Sequence, residues 1–138
     1  MIYVIIQFGA IFFLIYYSDL DAINLISGLL LLIAGLIGLK AVYDMKLSNL
    51  NILPELKEKH QLVTSGIYSQ IRHPMYTAVL LFCLGLLFTK LDITSGIVYF
   101  ILCVDLYLKS QKEEGYLTER FDNYVQYRTK TVRFLPFF

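Results

Sequence analysis

Long apolar runs, separated by polar segments, dominate the pattern along this chain. Residues 1–17 contain one strongly polar side chain, Gln7. In residues 22–39 the polar side chains are limited to Asn24 and Ser27. A helix needs about 20 residues to cross a hydrocarbon core of about 30 Å, and both runs reach this length with their flanking residues. The first two runs therefore predict two membrane-spanning helices.

Two shorter apolar runs follow later in the chain, at residues 75–88 and 93–108. Only residues 89–92 separate them, so they predict a tight antiparallel hairpin. Pro74 is suited to the first turn of the third helix, where its missing N–H has no helical partner. The pattern predicts a single all-α integral membrane domain over residues 1–138, with helices at about 1–18, 22–43, 74–89 and 93–127, a cytoplasmic loop at 44–73, an amphipathic C-terminal helix, and a tail at 128–138.

Composition supports a membrane protein. Hydrophobic residues make up 57% of the chain, charged residues 17%, and the mean hydropathy is +0.62, whereas a soluble domain carries about 25% charged residues. The net charge of +1 and the lack of a Lys/Arg block exclude a basic nucleic-acid-binding module. Two cysteines are too few for a disulfide-stapled secreted scaffold.

The distribution of cations predicts the orientation. All of the twelve Lys and Arg residues except Lys90 lie in or next to the loop 40–74 and the segment 109–138, and the turn 18–21 contains two acids, Asp19 and Asp21, and no cation. By the positive-inside rule, both polar segments and both termini face the cytoplasm. The first run has neither a basic start nor a small-residue cleavage site, so we interpret it as a retained helix and not a signal peptide.

Arg72 and His73 precede the third helix at a non-helical corner. Ser65-Gly66 marks a turn, and Pro74 keeps His73 extended. Arg72 and the positive end of the helix are together suited to a carboxylate or a phosphate. The alternative is structural: Arg72 anchors to lipid phosphates and His73 caps a turn.

The fourth run carries charges along one side. Asp105, Lys109 and Glu113 follow at i, i+4 and i+8. Because an unpaired acid in a membrane span is costly, we expect Asp105 to pair with Lys109.

Glu113 and Glu114 are adjacent, so their side chains point in different directions and cannot form an acid dyad. They can act as separate acceptors for hydroxyl or ammonium groups, or they are simply solvated. Leu117, Phe121 and Tyr124 continue an amphipathic stripe along the membrane interface.

Small residues and cysteines in the apolar runs are interpreted as packing groups. Cys83 and Cys103 are expected to behave as small hydrophobes and not as a disulfide or metal ligands. The small residues along the second run predict close helix packing at Gly28, Ala34, Gly35 and Gly38.

Two spaced motifs resemble a known family. Residues 64–76, TSGIYSQIRHPMY, resemble the SGxYxxxRHPxY signature of the isoprenylcysteine carboxyl methyltransferase and phosphatidylethanolamine N-methyltransferase superfamily. The ending resembles that group's EExxLxxxFxxYxxYxxxxxRxxP pattern at Glu113, Glu114, Leu117, Phe121, Tyr124, Tyr127, Arg133 and Pro136. The resemblance covers about residues 49–138 and is strongest to the short bacterial members.

The resemblance implies an integral membrane methyltransferase that uses S-adenosylmethionine and admits a lipophilic acceptor from the bilayer, in a bacterial inner membrane. Membrane lipid is the other expected partner, nucleic acid is not, and the oligomeric state is open. The implied catalytic residues are Arg72 and Glu113, and the implied cofactor-binding residues are His73, Pro74, Tyr76, Glu114 and Tyr68. The absence of a glycine-rich strand–turn–helix motif excludes a soluble Rossmann-type methyltransferase.

The sequence departs from the family pattern at one position. Many members read RHPxYxG, whereas this chain has Ala78 in place of the glycine, which alters the pocket if the cofactor approaches there.

A carboxylate or thiolate acceptor needs no general base and Arg72 can orient it, whereas an amine requires Glu113 or a water as base. The alternatives to the methyltransferase are an NADPH-dependent reductase of the related sterol-reductase type and a non-enzymatic small membrane protein.

Overall fold

A computed structural model describes residues 1–46, 49, 50, 52, 55 and 60–134 of the chain. The regular secondary structure of this part of the chain is helical, apart from one isolated parallel bridge between Ile71 and Val132. Its α-helices are α1 (Ile2–Tyr17), α2 (Leu25–Met45), α3 (Pro74–Leu87), α4 (Ile93–Arg120) and α5 (Tyr124–Lys130).

Polar residues at the helix starts explain several boundaries. The Asn24 side chain accepts a hydrogen bond from the Ser27 N–H at 3.0 Å, and the Ser27 hydroxyl accepts one from the Asn24 N–H at 2.8 Å. This capping box fixes the start of α2 at Leu25, later than the apolar run predicts. Asp92 caps α4 in the same way by accepting from the Ser95 N–H at 3.0 Å.

The fourth helix is shorter than predicted. It ends at Arg120, because Phe121 has an extended backbone (φ −125°, ψ 111°). A turn at Phe121–Asn123 follows, and α5 begins at Tyr124. The expected continuous helix to residue 127 is therefore wrong, and Tyr124 is fully buried instead of lying along an interface.

The centre of the bundle is α3. The α2 helix packs along one side of α3, and α1 and α4 pack against each other and against its other side. The core includes Leu14 of α1, Cys83 and Leu86 of α3, and Leu102 and Leu106 of α4. Both cysteines are free thiols.

Small residues allow α2 and α3 to approach closely, but only on one face. A Cβ built on Gly38 would lie 3.5 Å from the Ala78 Cβ, and Ala34 is buried. A Cβ on Gly35 would meet nothing within 4 Å, so this glycine has no packing role within the described residues.

The two short turns lie at one end of the bundle. The Asp19 N–H donates to the Thr89 hydroxyl at 3.1 Å, and the Asn24 amide donates to the Phe88 carbonyl at 3.0 Å. The start of α1, the end of α2, the start of α3 and the charged half of α4 lie at the other end. The cation-rich segments therefore share one end of the molecule.

The outer surface is suited to lipid. The α2 and α4 helices are long and apolar enough to cross a membrane, whereas α1 and α3 are apolar but have only 16 and 14 residues. Large apolar side chains are exposed along α1, α2 and α4, for example Phe12 at 68%, Leu39 at 73% and Phe100 at 68%. Membrane association follows from these helices, and a count of four spans stays a prediction.

The expected ion pair between Asp105 and Lys109 is not formed. The Lys109 ammonium instead donates to the Gln7 side-chain carbonyl of α1 at 2.9 Å. Both oxygens of Asp105 are buried and have no hydrogen-bond partner in the described ranges of the chain. The i, i+4 spacing places Asp105 and Lys109 on the same side of α4, but the ammonium forms its hydrogen bond with Gln7 of α1.

Candidate active site

The turn at Ser65-Gly66 is built around a carboxylate at the end of α2. Asp44 accepts a hydrogen bond from the Ile67 N–H at 2.8 Å and pairs with Lys40 at 2.6 Å. Gly66 has φ +61°, and a Cβ there would lie 2.1 Å from the Asp44 Oδ2 atom. Only glycine fits this turn without strain. The turn directs Tyr68 inward, where it is 3% exposed.

The Arg72–His73 corner is held by the C-terminal segment. The Arg72 N–H donates to the Val132 carbonyl at 2.8 Å, and the His73 N–H donates to the Arg133 carbonyl at 3.0 Å. The Val132 N–H donates to the Gln70 carbonyl at 3.0 Å. These bonds satisfy the backbone of a segment that Pro74 prevents from being helical.

Glu114 joins the two motifs. Its carboxylate accepts hydrogen bonds from Arg72 Nε at 2.9 Å and from Arg133 Nη2 at 2.9 Å, and it lies 3.3 Å from His73 Nε2. Arg128 approaches to 3.7 Å. The carboxylate that the Arg72 corner binds is thus supplied by the chain itself. Glu114 is 3% exposed, so these partners offset most of its lost hydration.

The Arg72 guanidinium is fixed from a second side. Its Nη1 atom donates to the backbone carbonyls of Thr131 and Arg128, the latter at 3.1 Å. Arg72 therefore bridges α4 and the end of α5 and is held in one orientation.

His73 lies between the two adjacent glutamates. Its Nδ1 atom is 3.5 Å from Glu113 Oε2, and its Nε2 atom faces Glu114. Burial alone would lower the pKa of His73, but hydrogen bonds to Glu113 and Glu114 and their negative charges outweigh burial and raise the pKa above its usual 6.5. The geometry therefore favours an imidazolium that links the two carboxylates.

Tyr76 continues this arrangement towards Glu113. Its ring is stacked on the His73 ring with centroids 5.4 Å apart and planes 4° apart. Its hydroxyl donates to the Glu113 carboxylate. The two rings and Glu113 form one continuous polar and aromatic wall.

This wall lines a cleft between the loop after α2, the start of α3 and α4. The cleft is lined by Met45, Asn49, Leu50, His60, Tyr68, Arg72, His73, Pro74, Met75, Tyr76, Glu113 and Leu117. All the site residues predicted from the sequence lie here except Glu114, which lies behind the wall among its arginine partners.

Sequence reasoning missed the part of the cleft that precedes the first motif. Asn49 holds this part in place, because its side chain donates to the Gln61 carbonyl and accepts from the Gln61 N–H, both at 2.8 Å. His60, the neighbour of Gln61, also lines the cleft. A lone Asn and a lone His in a polar loop carry no spacing signal that could have identified them.

An apolar groove opens on the other side of Arg72. It has a volume of about 570 Å³ and is lined by Arg72, Leu80, Leu81, Leu84, Tyr99, Cys103, Tyr107, Arg133 and Phe134. Leucines of α3 form one side, and Tyr99, Cys103 and Tyr107 of α4 form the other. Arg72 and Arg133 lie at the polar end, and the Arg133 guanidinium is 4.9 Å from the centre of the Tyr107 ring.

Ala78 lies on the face of α3 that packs against α2. It is buried there against Gly38 and lines neither the cleft nor the groove. The extra methyl group therefore fills helix packing space in this chain.

These features define an all-helical protein with a membrane-suited surface, in which an RHP corner and a Glu-Glu helix close on each other at the polar end of the bundle. The sequence profile of the isoprenylcysteine carboxyl methyltransferase family matches residues 21–119. The chain belongs to this family.

Individual relatives agree with the family match. Two vertebrate proteins named protein-S-isoprenylcysteine O-methyltransferase, from Xenopus laevis and Mus musculus, are 29% and 30% identical to the chain over 127 and 129 residues. These alignments cover 88% and 89% of this chain but only 44% and 46% of the relatives. A protein of the same name from Schizosaccharomyces pombe is 35% identical over 81 residues, which is 56% of this chain and 34% of the relative. The chain thus spans about half the length, or less, of these relatives.

Proposed function

We propose that the protein transfers the methyl group of S-adenosylmethionine to the carboxylate of a lipophilic acceptor, at the cytoplasmic face of the membrane. One observation carries the proposal. Arg72 borders both cavities, the polar and aromatic cleft on one side and the apolar groove on the other. A cofactor in the cleft and an apolar chain in the groove would meet at this guanidinium. The name of the matched family, isoprenylcysteine carboxyl methyltransferase, adds a carboxyl group as the methylated function.

The side chains of the cleft suit the chemistry of the cofactor. S-adenosylmethionine supplies a methyl group already activated on a sulfonium, and it also carries a carboxylate, an ammonium and ribose hydroxyls. Glu113 offers a carboxylate acceptor for the ammonium or a hydroxyl. The rings of Tyr68 and Tyr76 offer aromatic faces to a cation.

The polar end of the groove suits an anionic acceptor. Arg72 and Arg133 are two cations that share the single carboxylate of Glu114. The arginines around Glu114, which also include Arg128 at 3.7 Å, outnumber its single negative charge, so net positive charge remains at the end of an apolar groove, beside the cleft. An acceptor carboxylate bound there would be oriented by planar donors and shielded from water, which is the main contribution a protein can make to a displacement that needs no general base.

The length of the groove sets an expectation for the acceptor. Tyr99 and Tyr107 are two helical turns apart, about 12 Å along α4. The groove therefore suits an apolar chain of comparable extended length. This supports a lipid-like acceptor and not a small soluble one.

Cofactor binding is the first test. We expect detergent-purified protein to bind S-adenosylhomocysteine and not NADPH, measured by isothermal titration calorimetry. Glu113→Gln should weaken this binding about tenfold or more, because it removes a charge-assisted hydrogen bond. Glu119→Gln changes an exposed glutamate of the same helix and should bind like the wild type. NADPH binding would favour the reductase, and binding of neither ligand would favour a non-enzymatic protein.

Acceptor length is the second test. Methyl transfer is measured for thioether carboxylates with stepwise longer apolar chains, and membrane partitioning is measured separately and divided out. We expect kcat/KM to rise by up to about 0.8 kcal/mol of transition-state stabilisation per methylene, until the chain exceeds the groove. Tyr99→Leu, inside the groove, should change the preferred length, whereas Phe100→Leu, on the outer surface, should not. A flat dependence on length, or transfer to amines or thiols alone, contradicts the proposed acceptor.

A further inference from the structure

A buried lysine lies directly behind the cofactor cleft. Lys109 is 2% exposed within the apolar helix α4, and its ammonium donates to Gln7 of α1 at 2.9 Å. Gln7 is the one strongly polar residue in the first apolar run. A buried ammonium in a membrane-capable helix is costly, and it is retained where it has a functional partner.

The second neighbour of Lys109 is a residue of the cleft wall. The Lys109 Nζ atom lies 5.1 Å from the centre of the Tyr76 ring, within the range of a cation–π contact. Tyr76 in turn donates to Glu113 and stacks on His73. Lys109 itself does not line the cleft.

The nearby acid does not account for the lysine. Asp105 lies one turn away on α4, but neither of its oxygens has a hydrogen-bond partner among the residues that the structure describes. Within the described part of the chain, the close contacts of the Lys109 ammonium are thus the Gln7 carbonyl and the Tyr76 ring. The ammonium therefore contacts Gln7 and the Tyr76 ring directly, whereas Asp105 acts on it only through its charge.

We infer that Lys109, anchored by Gln7, is a positioning residue that holds the Tyr76 ring so that its hydroxyl meets Glu113 in the cofactor cleft. The inference rests on the proposed function. It gives α1, which precedes the family-matched residues 21–119, a role in the active site through Gln7.

The test compares two lysines on one helix. Lys109→Met keeps the length of the side chain and removes the charge, and Lys112→Met makes the same change at an exposed position. Gln7→Leu provides a second route, because it removes the anchor while Lys109 remains. Each variant is measured by calorimetry with S-adenosylhomocysteine and by its KM for S-adenosylmethionine and for the acceptor.

We expect Lys109→Met and Gln7→Leu to raise the dissociation constant for S-adenosylhomocysteine, and the KM for S-adenosylmethionine, about tenfold. The KM for the acceptor and the binding by Lys112→Met should stay at the wild-type values. In a Tyr76→Leu background, Lys109→Met and Gln7→Leu should cause no further loss, because the residue through which they act is gone.

The outcomes separate the two proposals. If the wild type does not bind S-adenosylhomocysteine, the proposed function fails and the positioning role fails with it. If the wild type binds and folded Gln7→Leu or Lys109→Met binds equally well, only the positioning role is overturned. The positioning role is also overturned if Lys109→Met and Gln7→Leu weaken binding just as much in the Tyr76→Leu background. A lysine with a purely structural role would lower stability without any coupling to Tyr76.

Discussion

At the scale of single residues, the environment of His73 makes its charge part of the fold. The imidazolium lies between the carboxylates of Glu113 and Glu114, and the pKa of His73 is raised because these hydrogen bonds and charges outweigh burial. A raised pKa in the folded state means that folding favours the protonated form. The resulting stabilisation is fully present below the unfolded-state pKa of about 6.5 and is lost as the pH rises through the higher folded-state value.

The expected result is a pH-dependent melting temperature. Wild-type protein in detergent should lose thermal stability as the pH rises from about 6.5 through the raised folded-state pKa. His73→Gln, which has no charge to gain, should be less stable than the wild type at low pH and should show a flatter profile. Equal slopes for the two proteins would show that His73 is not charged in the folded state.

Glu114 should be the most sensitive acid of the chain to substitution. Glu114→Gln leaves the guanidinium groups of Arg72 and Arg133 without their shared carboxylate in a buried site. Removing one partner of a buried ion pair costs about 3 kcal/mol or more. Thermal unfolding measures the loss, and Glu119→Gln, an exposed acid five residues further along α4, is the control and should unfold like the wild type.

The sequence alone predicted which residues come together in the candidate site. It predicted less well which partner each of these residues contacts. The two motifs carry Arg72, His73, Tyr76 and Glu113, and all four line one cleft. The contacts of Glu114 with Arg133 and of Lys109 with Gln7 could not be predicted, because each joins residues that are distant in sequence. Local spacing suggested Asp105 as the partner of Lys109, and tertiary packing overrode it.

At the scale of elements, the turn before the RHP corner depends on one glycine. Gly66→Ala requires a left-handed backbone at a residue with a Cβ and places that atom on the Asp44 carboxylate. We expect a loss of about 1 to 2 kcal/mol of unfolding free energy, because the strain adds to the loss of the Asp44–Ile67 hydrogen bond. Thermal melting measures the change.

The matched control is another glycine of the chain. A Cβ on Gly35 meets nothing within 4 Å, and the residue lies inside α2. Gly35→Ala should therefore leave stability unchanged or raise it slightly, since alanine favours a helix. A similar loss in both variants would contradict a special role for the Gly66 turn.

Elements differ in how well the sequence predicts them. The four apolar helices follow from long runs of hydrophobic residues and from Pro74 at the start of α3. The pairing of residues 70–73 with 132–133 does not, because it consists of backbone hydrogen bonds across about sixty residues of sequence and has no side-chain signature. The break between α4 and α5 was missed for a related reason: Tyr124 is buried by tertiary contacts, although its spacing fits a continuous amphipathic stripe.

At the scale of the whole molecule, the two ends of the bundle predict a single orientation in the membrane. The short turns at one end and the cation-rich segments at the other should lie on opposite sides. In a variant with Cys83 and Cys103 replaced by alanine, Leu20→Cys should react with a membrane-impermeant maleimide added to intact bacterial cells. Lys112→Cys, also at an exposed position but at the other end, should react only after lysis.

The opposite labelling pattern would place the cleft on the outer side of the membrane, away from cytoplasmic S-adenosylmethionine. The orientation and the proposed function would then both fail. Labelling of both positions in intact cells would contradict a membrane-spanning arrangement for the chain.

The pairing of the C-terminal segment with the RHP corner also has a consequence for the order of assembly during synthesis. The helices α1 to α4 are complete by residue 120, yet Arg72 and His73 gain their backbone partners only when residues 132 and 133 have been made. Domains begin to fold while the chain is still being synthesised, from the N-terminus onwards. The helical scaffold can therefore be in place before the cleft is complete, and a chain released early would lack the site that we propose for the cofactor.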